Sequence, residues 1–65
     1  MWIVVQLIKG YLNALSIKTL LENEGIIVMI KKATEGDETT AFYDVLVPQT
    51  ELEQAQEIII NNNDK

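Results

Sequence analysis

The chain begins MWIVVQLIKG, and seven of its first eight residues are apolar. A strand with one face in a core and one in water alternates apolar with polar residues. This run is broken only at Gln6, so both of its faces call for cover. That demand constrains the fold more than any other feature. A chain of 65 residues forms one small domain and buries only roughly 60% of its unfolded surface. It has no Cys and no His, so no disulfide can brace it and the usual ligands of zinc, copper and iron are missing. A partner chain is the stabiliser still open to it.

Punctuation divides the rest. Gly10 ends the first strand. Tyr11 to Glu24 carries Ala14, Ile17 and Leu20 or Leu21 at spacings of three and four, which predicts a helix with one apolar stripe. Gly10 or Asn13 is its N-cap, and Gly25 its left-handed C-terminal cap. Ile26 to Lys32 reads as a second strand, and Ala41 to Pro48 as a third. The polar loop between them holds no large apolar residue, which predicts mobility over 33–40. Thr50 and Glu53 have capping-box spacing before a second helix with Leu52, Ala55 and Ile59 on its apolar stripe. The domain spans 1–61, and 62–65 reads as a frayed polar tail.

The order β-α-β-β-α predicts an α+β, ferredoxin-like fold that lacks its last strand. A right-handed crossover sets strands one and two parallel. Strand three lies between them, giving a three-stranded mixed sheet in the order 1-3-2 with two helices on one face. Strict alternation along each strand then puts Trp2, Val4, Gln6 and Ile8 on the outer face with Phe42, Asp44, Leu46, Ile27, Met29 and Lys31. Ile3, Val5, Leu7, Tyr43, Val45 and Val47 fall under the helices. An apolar surface of Trp2, Val4, Ile8, Ile27, Met29, Phe42 and Leu46 exceeds what a soluble monomer normally exposes. It predicts a homo-oligomer, most simply a two-fold dimer, with a partner of another kind as the competing account.

Charge and chemistry narrow the function. The net charge is −5 with no arginine, against nucleic-acid binding. The apolar opening is far shorter than the roughly 20 residues of a membrane helix, and it lacks the flanks of a signal peptide. A soluble cytoplasmic protein is the expectation. Ser16 has no base near it in sequence, and Asp44 is a lone acid in an apolar strand, so no catalytic set emerges. Glu35, Asp37 and Glu38 lack EF-hand spacing and read as a solvated turn. No metal or cofactor is implied. An anion site is possible where strand ends meet the first helix: Lys9, Gly10, Asn13, Lys31 and Lys32 gather positive ends there, although two lysines closing a strand also serve simply as solvated edge protection.

The segments NALSIKTLLENEGI, VMI and YDVLVPQTELEQAQEII resemble the short prokaryotic signal-transducing protein family, trimmed relatives of the PII-like, ferredoxin-like domains. Ala14, Ile17, Leu21, Gly25, Ile26, Val47, Pro48, Glu53 and Ala55 carry the resemblance. These are core and cap positions, and Gly10 stands where that family often has a capping Asn. The resemblance implies a small non-catalytic regulatory or sensing module and transfers no catalytic residue. Two readings follow. One is a regulatory or ligand-sensing module acting as a small homo-oligomer. The other is a protein-interaction module that uses its apolar sheet face. An enzyme has the least support.

Overall fold

The computed structural model describes residues 1–63. Strand β1 (Trp2–Lys9) leads to helix α1 (Tyr11–Asn23), strand β2 (Met29–Lys32) and strand β3 (Phe42–Pro48). A single 3-10 turn (Gln49–Glu51) then runs into helix α2 (Leu52–Asn63). The sheet order is β1-β3-β2, an α+β architecture. Both neighbouring pairs are antiparallel. The sheet is therefore antiparallel and not mixed: β1 and β2 run the same way but never touch, because β3 separates them.

Helix α1 ends as its glycine predicts. Gly25 sits at φ 88, Ile26 N–H donates to the Leu21 carbonyl and Gly25 N–H to that of Glu22. This is a Schellman closure, with its usual apolar contact between the two ends of the longer bond. At the other end Gly10 is the N-cap, at φ 90, without a side-chain cap. Asn13 is not the cap; it donates its side-chain N–H back to the Lys9 carbonyl at 2.9 Å.

Three boundaries differ from the expectation. Strand β2 begins only at Met29, and residues 26–28 approach it in irregular backbone. The Thr50–Glu53 capping box does not form; Pro48 occupies the N-cap of a 3-10 turn with no side-chain cap bond. Thr50 already lies inside that turn, so it is not placed to cap α2. Helix α2 runs through Asn63, past the expected limit at 61, and the remainder of the polar tail lies outside the described residues.

The core sits between the helices and one face of the sheet. Ala14 and Leu21 from α1, and Ala55 and Ile59 from α2, meet Tyr43, Val45 and Val47 from β3. Val45, Val47, Leu21, Ala14 and Ala55 are fully buried. The slab is thin, 31 × 30 × 15 Å in its Cα extents. That is two layers, with the second broad face of the sheet left bare.

Candidate functional site

Strand β1 holds the largest departure from simple alternation. Val4 pairs with Leu46 and Gln6 with Val45, so Val5 is an extra residue, a β-bulge. A bulge shifts the facing of everything after it by one. Gln6 and Ile8 therefore turn toward the helices, opposite Val45 and Tyr43, while Leu7 and Lys9 turn outward, opposite Asp44 and Phe42. Ile8 is half-buried and packs on the core. Its expected place on the outer face is wrong, and Leu7, expected inside, is 53% exposed there.

The outer face is otherwise as the pattern predicts. Trp2, Val4, Met29 and Phe42 are exposed, between 37% and 45%, and Leu46 is half-buried among them. Ile27, just before β2, continues the alternation and is 67% exposed. Across the middle of the sheet runs a row of Leu7, Asp44 and Lys31. None of the three shallow depressions described on the surface lies on this face. It is apolar toward the Trp2 and Met29 end, and mixed in charge toward Lys9 and Lys31.

The second region is where the loop after β2 meets the start of α1. That loop holds no large apolar side chain, yet polar groups tie it down. One oxygen of Asp37, Oδ1, accepts from Thr39 N–H at 2.9 Å and Thr39 Oγ at 2.7 Å. The same oxygen accepts from Thr40 N–H and Oγ, each at 3.1 Å. Phe42 N–H donates to Thr34 Oγ, and Lys32 Nζ donates to the Gly36 carbonyl. Gly36, at φ 120, is required here, since a Cβ would come within 2.7 Å of Thr40 Oγ. Thr39 Oγ chiefly, then the two backbone N–H groups and Thr40 Oγ, hold the Asp37 carboxyl at about 2, below its ordinary 3.8. A carboxylate that accepts several hydrogen bonds is favoured in its charged form.

The loop then docks on the helix. Tyr11 N–H donates to the Glu38 carbonyl at 2.7 Å, and Gly10 N–H to that of Ala41 at 2.9 Å. Tyr11 meets Tyr43 edge to face, ring centres 5.5 Å apart. Burial first, then the negative Glu38, raises the Tyr43 hydroxyl above its usual value. Gly10, Tyr11, Leu12, Asn13, Glu38 and Thr39 line a shallow depression of about 290 Å³.

The expected anion site assembles only in part. Gly10 and Asn13 line the depression, but Lys9, Lys31 and Lys32 do not. Lys9 and Lys31 stand on the outer face of opposite edge strands, and Lys32 reaches into the loop. Glu38, an acid, takes a place at the rim. Ser16 donates its hydroxyl to the Leu12 carbonyl, an intrahelical bond that leaves no base beside it. Among the described residues no three acids, His or Cys converge as metal ligands, and no helix is long and apolar enough to cross a membrane. Sequence reasoning missed two functional-looking features. Leu7 was hidden by the bulge, which leaves no signal in an apolar run. The Asp37 hub was legible in the spacing of GDETT, where an acid precedes two hydroxyl residues by two and three positions.

Comparison of the chain with protein-family models, with curated proteins and with solved structures finds no match in any of the three.

Proposed function

We propose that this chain is a non-catalytic interaction module, built on a ferredoxin-like plan without the fourth strand, that works through the open face of its sheet. One observation carries the reading. Trp2, Val4, Leu7, Met29 and Phe42 stand exposed together on a face that no element of the described chain covers. Monomers seldom expose a contiguous apolar patch beyond roughly 300–600 Å² unless it binds something. Aromatic residues and Met are also the types enriched at interface centres. A cytoplasmic setting fits a chain without Cys.

A ligand-sensing role is the second reading, supported by the depression where the Asp37-tied loop meets α1. Glu38 at its rim and the diverging lysines make it the weaker of the two for an anion.

Photo-crosslinking tests the first reading. A photoreactive residue is placed at Leu7, on the sheet face, or at Thr19, on the exposed side of α1. Each protein is irradiated both pure and in cell extract. Protein adducts should form at position 7 and not at position 19. Absence of adducts from position 7 in both settings would overturn it.

A further inference from the structure

We infer that the occupant of the sheet face is a second copy of this chain, packed face to face about a two-fold axis. The inference rests on the interaction reading above and names its partner.

Shape is the first argument. None of the three described depressions lies on this face, which suits a second open sheet better than an inserted helix or loop. Sheets pack face to face at about 10 Å through interdigitated side chains. A second copy supplies such a surface by construction, and an isologous contact needs only a self-complementary patch.

Charge is the second. The chain carries ten acids and five lysines, yet among the described residues Asp44 is the only acid on any strand. The outer face holds Asp44 with Lys9 and Lys31, a net +1, so −6 is distributed elsewhere. A strongly basic partner would dock against those acids. Two copies of an acidic protein can meet on the one face whose single acid is outnumbered by lysines. There each face offers the other both a carboxylate and ammonium groups, at the mixed end of an otherwise apolar patch.

Area is the third. A stable interface takes about 800 Å² from each partner. That is about a fifth of the 4458 Å² accessible surface. The result would be four layers, helices outside and two sheets within. Trp2, Val4 and Leu7 would then gain the cover that the first strand calls for.

Sedimentation equilibrium on the purified chain is the test, with the emission of Trp2, the single tryptophan, followed over the same concentrations. The expected mass at tens of micromolar is twice 7.4 kDa, and Trp2 emission moves to shorter wavelength as the dimer forms. Val4→Glu and Leu7→Lys should each weaken self-association by at least about a hundredfold, the scale of an interface hot spot. Thr19→Glu should leave it unchanged. Circular dichroism checks that each variant is folded. Leu7 is exposed enough for its variant to fold even if Val4→Glu does not. A wild-type chain that stays monomeric, or a dimer indifferent to the sheet-face variants, overturns the inference. In either case a position-7 crosslink to a different protein would still support the interaction reading.

Discussion

Asp37 is the residue with the most work concentrated on one atom. Four donors from Thr39 and Thr40 meet its Oδ1, on a loop with no apolar anchor. The folded carboxyl titrates at about 2 against an ordinary 3.8, so the unfolded chain binds its proton first as pH falls. The contribution of these bonds is fully present above about pH 4. It is lost as pH drops through the folded value near 2. Carboxyl carbon chemical shifts measured by NMR should give Asp37 a midpoint near 2, with the Thr39 and Thr40 amides moving in step. A midpoint at the ordinary value would show that the hub does not form in solution. Asp37→Asn should remove the acid transition of those two amides, because it leaves an acceptor oxygen without a titrating charge. The side chain is exposed, so the effect is read in the loop and not in global stability.

The bulge at Val5 decides which residues of β1 are structural and which are free for a partner. Ile8 packs on the core beneath the helices, whereas Leu7 faces outward. In urea unfolding at dilution sufficient to suppress association, Ile8→Ala should cost about 1–3 kcal/mol, a half-buried share of a core truncation. Leu7→Ala should stay within about 0.5 kcal/mol, as exposed positions do. The reverse ranking would mean the strand is regular and the outer face is the one simple alternation gives. This element also shows how far the sequence could be read. Gly25 marked the end of α1 because only a left-handed position explains a glycine there, and the strand order followed from chirality and short connections. Strand β3 was legible because Tyr43, Val45 and Val47 alternate cleanly with Phe42, Asp44 and Leu46. Strand β1 was not, past Val4, since a run apolar on both faces reads the same in either register. The Thr50–Glu53 spacing misled because a 3-10 turn begins at Gln49 and takes in Thr50. The lysines near Gly10 misled for a different reason. Lys9 and Lys31 lie near the ends of strands that β3 holds apart, and Lys32, one residue on, is turned into the loop instead.

At the scale of the whole molecule, a two-layer slab of 65 residues has little stability to spare. Half of its sheet surface does nothing for the isolated fold. If a second copy covers that surface, folding and assembly become one equilibrium, and the unfolding temperature must rise with protein concentration. The size of the rise follows from the enthalpy. At roughly 0.7 kcal/mol per residue near 60 °C, two chains unfold with about 90 kcal/mol. Mass action then gives about 5 °C for each tenfold increase in concentration. Calorimetry across a hundredfold range should show that slope for the wild-type chain and a flat response for Leu7→Lys, whose two-layer core is intact. A monomer stabilised by its own core alone would melt at one temperature throughout. A flat wild-type response would therefore return the open face to a partner of different sequence, and would mean that the core between α1, α2 and β3 holds the fold unaided.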